Sequence, residues 1–113
     1  MKIMKTLFFQ SLAITIVLAG FTVYAADQAI CNSEATVVFH KNGSVKACQL
    51  KDDYNENDIR CKNESTITFY SNGNLESCVL STPAAIGENK CKDGGLISFY
   101  VDGQLKSCVK PED

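Results

Sequence analysis

The sequence predicts an all-β protein built from three tandem antiparallel β-hairpin repeats, stapled by disulfides. Three observations lead there. Cys31, Cys61 and Cys91 recur every thirty residues, and Cys48, Cys78 and Cys108 keep the same step. Between the two cysteines of each unit lies a run rich in Val, Ile, Thr, Phe and Tyr, residues that suit a pleated surface. Each run ends at Asn42-Gly43, Asn72-Gly73 or Asp102-Gly103, the strongest short-range signals for a hairpin reversal. Self-similarity at one fixed step of this size marks a repeat architecture.

The chain opens with Lys2 and Lys5, then runs apolar from Leu7 to Phe21, and closes this stretch with Val23-Tyr24-Ala25-Ala26. A charged start, a short apolar run and small residues at −3 and −1 predict a secretory signal peptide over 1–25. The apolar run falls short of the ~20 residues a membrane span needs, so no membrane insertion is expected after cleavage. Gln28-Ala29-Ile30 before Cys31 is not a lipobox, and no lipid anchor is expected. The predicted mature product is a single domain over 26–113, with repeats at about 31–50, 61–80 and 91–110. Its expected location is periplasmic or extracellular.

Charge narrows the partners. The leader holds two lysines and no acid, so removing it leaves the product more acidic than the full chain, whose net charge is −2. A mildly acidic domain with no basic cluster argues against nucleic acid and against anionic lipid surfaces.

Within each unit, residues 35–40, 65–70 and 96–100 read as outgoing strands. Val45–Leu50, Leu75–Leu80 and Leu105–Val109 read as the returning ones. Two registers are open. A two-residue turn sets Phe69 opposite Glu76. A three-residue turn with a bulge at glycine sets Phe69 opposite Leu75 and Ile67 opposite Ser77. The second gathers Ile67, Phe69, Leu75 and Val79 on one face and is preferred, because a one-residue slip exchanges the faces of a strand. Lys51 to Arg60, polar and acidic, and Ser81 to Lys90, less charged and holding Pro83 and Gly87, read as surface linkers.

The six cysteines of a small exported domain predict a disulfide framework. Repeat symmetry leaves two pairings. Cys31–Cys48, Cys61–Cys78 and Cys91–Cys108 would close each unit on itself. Cys48–Cys61 and Cys78–Cys91 would clamp the linkers and leave the outer two to meet only if the ends do. The first is favoured because no unit keeps an unpaired thiol.

Phe69-Tyr70-Ser71-Asn72-Gly73-Asn74-Leu75 and Phe99-Tyr100-Val101-Asp102-Gly103-Gln104-Leu105 resemble the variant MORN repeat, in which an aromatic pair precedes an Asn-Gly or Asp-Gly turn and an aliphatic follows it. The resemblance implies a ladder of β-hairpins serving as a scaffold or protein-binding surface, not an enzyme.

Candidate sites are few. No Cys-x-x-Cys stands in the chain, so neither a zinc site nor a redox thiol is expected, and no cofactor is implied. Asp53, Asn55 and Asn57 fall at calcium-loop positions 1, 3 and 5, with Glu64 at 12. Asp58 stands where the loop requires glycine, so this segment reads as a solvated loop. His40 shares its place in the repeat with Tyr70 and Tyr100, which favours a structural ring over a catalytic base. Together His40, Tyr70 and Tyr100 form a candidate binding stripe, since aromatics at regular spacing anchor partners. The expected function is a non-catalytic exported repeat module that binds a protein or scaffolds an envelope. The alternative is a small disulfide-rich effector, toxin or inhibitor. Unpaired edges on the first and last hairpins invite self-association.

Overall fold

The computed structural model describes residues 28–112; the expected signal peptide lies outside them. After a 3-10 turn at Gln28–Ile30 the described chain is all strand and turn. The strands are β1 (Val38–Phe39), β2 (Val45–Gln49), β3 (Tyr54–Glu56), β4 (Ile59–Cys61) and β5 (Thr66–Phe69). They continue with β6 (Leu75–Val79), β7 (Ala84–Ile86), β8 (Asn89–Cys91), β9 (Leu96–Phe99) and β10 (Leu105–Cys108). One six-stranded antiparallel sheet runs β1-β2-β5-β6-β9-β10. The pairs β3–β4 and β7–β8 form separate two-stranded ribbons.

The three main hairpins share one turn. In the middle copy Gly73 donates its N–H to the Tyr70 carbonyl at 2.9 Å, and Tyr70 donates to the Asn74 carbonyl at 2.9 Å. Gly73, at φ 91°, takes the left-handed position that follows a type I turn. Asn72 serves through its side chain instead: its Oδ1 accepts the Asn74 N–H at 2.9 Å. Asn42 does the same for Ser44 at 3.0 Å, and Asp102 for Gln104 at 3.1 Å.

Register follows the preferred reading only near the turn. Phe69 faces Leu75 as expected, but Thr68 rather than Ile67 faces Ser77. Glu76 is an extra residue on the returning strand, a bulge that swaps the faces beyond it. Cys78 and Leu80 therefore point into the core with Ile67 and Phe69, and Val79 moves to the outer face opposite Leu96. Leu105 and Ser107 bracket the same bulge in the last hairpin.

Both linkers prove to be structured. Asn57 and Asp58, at φ 52° and 68°, close the β3–β4 ribbon with the positive dihedrals of a type I′ turn, which Asn and Asp tolerate. Gly87, at φ 61°, closes β7–β8 from the first turn position, as a type II′ turn requires. The ribbons cover the inner face of the sheet. The Tyr54 ring meets Phe69 edge-on with centroids 6.0 Å apart, Ile59 is buried, and Ala84 and Ile86 pack against the same core. Each fully buried Ile, Leu or Phe in that core contributes about 1.5–3 kcal/mol relative to exposure.

The disulfides close each unit on itself: Cys31–Cys48, Cys61–Cys78 and Cys91–Cys108, with Cα separations of 5.8, 5.7 and 5.6 Å. No described cysteine is free. Each bond ties a returning strand to the chain that enters its hairpin, and Cys61 and Cys91 end β4 and β8. The covering ribbons are thereby bolted to the sheet beneath them.

Candidate functional site

Side chains on one end of the first and second hairpins reach across to the next. His40 Nε2 lies 2.8 Å from the Phe69 carbonyl oxygen; since that oxygen can only accept, Nε2 carries the proton. The Tyr70 hydroxyl donates to the Phe99 carbonyl at 2.8 Å. A second tie runs between the turns. Asn42 Nδ2 donates to the Ser71 carbonyl at 2.8 Å, and Asn74 Nδ2 donates to the Val101 carbonyl at 2.9 Å. These contacts lock neighbouring hairpins at a common offset.

The expected stripe is therefore not a row of equivalent rings. His40 and Tyr70 are half-buried and committed to carbonyls of the same chain. No hairpin follows Tyr100 among the described residues: it is 51% exposed, with the Lys106 ammonium 5.9 Å from its ring centre. Gln104, which stands where Asn74 does, donates to its own neighbour Asp102 Oδ2 at 3.1 Å.

A groove that sequence reasoning missed lies between the β3–β4 tip and the turns of the second and third hairpins. It encloses about 330 Å³. Leu75 and Phe99 form its apolar floor, and Glu56, Asn57, Asn74 and Asp102 supply polar lining. The Tyr54 hydroxyl donates to Glu56 Oε1 at 3.1 Å. Burial pushes the Tyr54 phenol up to about 12, with the Glu56 charge and this hydrogen bond adding to the shift. An apolar floor under carboxylates and amides suits a basic or amide side chain. The only signal for the groove was the turn chemistry of Asn57-Asp58, which marks the ribbon that forms its wall.

The calcium-loop candidate is a hairpin base. Asp53 Oδ1 accepts from the Asn63 N–H at 2.8 Å and from Asn63 Nδ2 at 2.9 Å, and Oδ2 accepts from Arg60 Nε at 3.1 Å. The Asn63 backbone bond, then the Arg60 guanidinium, hold the Asp53 carboxyl below its ordinary range. Among the described residues no group of three or more His, Cys, Asp or Glu is placed to hold a metal ion. No described helix is long and apolar enough to cross a membrane. Three buried or half-buried cystines fit an oxidising, exported setting. Comparison with protein families, curated proteins and solved structures gives no match.

Proposed function

We propose that this chain is a non-catalytic, exported repeat module that binds a protein, as its variant-MORN-like hairpins imply, with its first 25 residues serving as the export signal. One observation carries the reading. The fold commits polar side chains to locking hairpins together, through His40, Asn42, Tyr70 and Asn74, while the counterparts on the last hairpin, Tyr100 and Gln104, make no tie to another hairpin among the described residues. Stacked units of this kind present extended surfaces rather than enclosed reaction sites. The carboxylate-lined groove beside Asn57 adds a place for a basic side chain of the partner.

The test uses the oxidised mature protein, immobilised and exposed to native envelope extract or culture medium, with bound proteins identified by mass spectrometry. A saturable protein partner, weakened when Glu56→Lys and Asp102→Lys reverse the groove charge, is the expected result. Turnover of a substrate with no protein bound would overturn the proposal.

A further inference from the structure

The two ends of the sheet are the two halves of a junction that the chain already makes twice. Inside the chain, the returning strand of one hairpin pairs with the outgoing strand of the next: Ala47 with Thr68, Cys48 with Ile67 and Gln49 with Thr66. The second junction repeats it with Ser77 and Ser98, Cys78 and Ile97, Val79 and Leu96. At the C-terminal edge, Ser107, Cys108 and Val109 occupy the places of Ala47, Cys48 and Gln49. At the N-terminal edge, Val38, Val37 and Thr36 occupy the places of Thr68, Ile67 and Thr66.

The open hydrogen-bonding groups match as well. Leu50 donates its N–H to the Ser65 carbonyl at 3.0 Å and accepts from Glu64 at 2.9 Å, so both of its backbone groups face the following hairpin. Strand alternation turns the same groups of Cys108 and Lys110 outward on β10 and its extension. On the other edge, the Phe39 carbonyl stands where those of Phe69 and Phe99 accept a ring donor, and the Lys41 carbonyl where those of Ser71 and Val101 accept an amide. The matching donors, the Tyr100 hydroxyl and the Gln104 amide, sit on the last hairpin.

Burial points the same way. Phe69 and Phe99 are 1% and 7% exposed, whereas Phe39 is 46% exposed, with neither a hairpin nor a covering ribbon before it among the described residues. Leu105 is likewise less buried than its counterparts Val45 and Leu75.

We infer that the partner at the sheet edges is a second copy of this chain, docked head to tail, with β10 of one copy pairing antiparallel to β1 of the next. The inference rests on the protein-binding reading above and specifies a partner for the edges, apart from the groove. Ser107 meets Val38, Cys108 meets Val37 and Val109 meets Thr36 of the next copy; Tyr100 donates to Phe39 and Gln104 to Lys41. Such a contact uses unlike surfaces, so it propagates into open chains or rings instead of stopping at a symmetric dimer. Lys110 replaces the Leu50 and Leu80 of the internal junctions, which removes a buried leucine. The N–H that Pro111 lacks belongs to its own unit, since those of Lys51 and Ser81 donate to Ile30 and Arg60. The junction between copies is therefore weaker than those within, and assembly depends on concentration.

Sedimentation equilibrium on the oxidised mature protein, across micromolar to millimolar concentration, tests it with two blocked variants. Val37→Pro removes an outward N–H from the N-terminal edge, and Tyr100→Phe/Lys110→Pro disables the C-terminal edge. Circular dichroism and a thiol assay confirm that each remains folded and fully oxidised. The wild type should rise in mass beyond the dimer, each variant alone should stay monomeric, and an equimolar mixture should stop at the dimer. A wild type monomeric at millimolar concentration, or a singly blocked variant that still dimerises, overturns the inference. Capture of a different protein by a strictly monomeric wild type would sink the self-docking alone and leave the protein-binding reading standing.

Discussion

The Tyr70 hydroxyl donates to the Phe99 carbonyl at 2.8 Å, across the boundary between the second and third hairpins. His40 makes the same reach from the first hairpin to Phe69. Tyr100, the third member of the series, is 51% exposed, with the Lys106 ammonium over its ring. Identical sequence positions therefore carry different energies. Tyr70→Phe should lower stability by about 1 kcal/mol, the net worth of a typical hydrogen bond. Tyr100→Phe, measured at a concentration where the protein is monomeric, should stay within about 0.5 kcal/mol of wild type. Urea denaturation with intact disulfides separates them.

The disulfides should rank by burial. Cys61 and Cys78 are both fully buried at the centre of the sheet, whereas Cys108 is only half-buried at its edge. Cys61→Ala/Cys78→Ala should cost about 4–5 kcal/mol and Cys91→Ala/Cys108→Ala about 2–3 kcal/mol, within the range for native bonds of small exported domains. Chemical denaturation midpoints of the two double variants provide the comparison. Equal losses would mean that loop closure alone, the same in both units, sets the contribution.

Glu64 sits at φ 62°, where its counterpart in the last unit is Gly94 at φ 80°. A side chain in that region costs ~1–2 kcal/mol, part of which glycine returns as lost chain entropy on folding. Glu64→Gly should therefore stabilise the protein by about 0.5–1 kcal/mol. The Gln49 Nε2 bond at 3.0 Å goes to the Glu64 carbonyl and survives the change. Thermal melts of wild type and variant give the sign directly.

Tyr54 should ionise late. Its phenol lies at about 12 against an ordinary value of 10.0, because burial first, and then the Glu56 carboxylate, disfavour the anion. The folded state thus prefers the neutral phenol. The stabilisation is fully present below pH 10 and fades as pH rises toward 12. Since Tyr54 keeps part of its surface in water, solvent screening makes that loss smaller than the shift alone implies. Absorbance titration should show one late tyrosine step that vanishes in Tyr54→Phe and moves earlier in Glu56→Gln.

Much of this fold is legible in the residues, for physical reasons. Asn-Gly and Asp-Gly set the three main turns, and the fixed step between cysteines sets which elements repeat. The register at Phe69 and Leu75 follows from the three-residue turn. The bulge at Glu76 is hidden, because Leu75-Glu76-Ser77-Cys78-Val79 can present either Cys78 or Val79 inward without breaking an alternation. Only the docking of the ribbons onto the inner face decides between them. The ribbons themselves leave a faint trace: Tyr54-Asn55-Glu56 and Ala84-Ala85-Ile86 are too short to display a period, and the first is polar. Their turns, Asn57-Asp58 and Gly87-Glu88, carry the usable signal. Least legible are the ties from His40, Asn42, Tyr70 and Asn74, since backbone carbonyls leave no mark on the residue type that supplies them.

Disulfide mapping by tryptic digestion and mass spectrometry of the native protein tests most directly that each hairpin is closed on itself. Cleavage at Lys41, Lys46, Lys51, Arg60, Lys62, Lys90 and Lys92 places the cysteines in separable peptides. The peptide holding Cys31 should be joined to Ala47–Lys51, Cys61–Lys62 to the peptide holding Cys78, and Cys91–Lys92 to the peptide holding Cys108. Links from Cys48 to Cys61 and from Cys78 to Cys91, or free thiols in the native protein, would show that the hairpins are not closed on themselves.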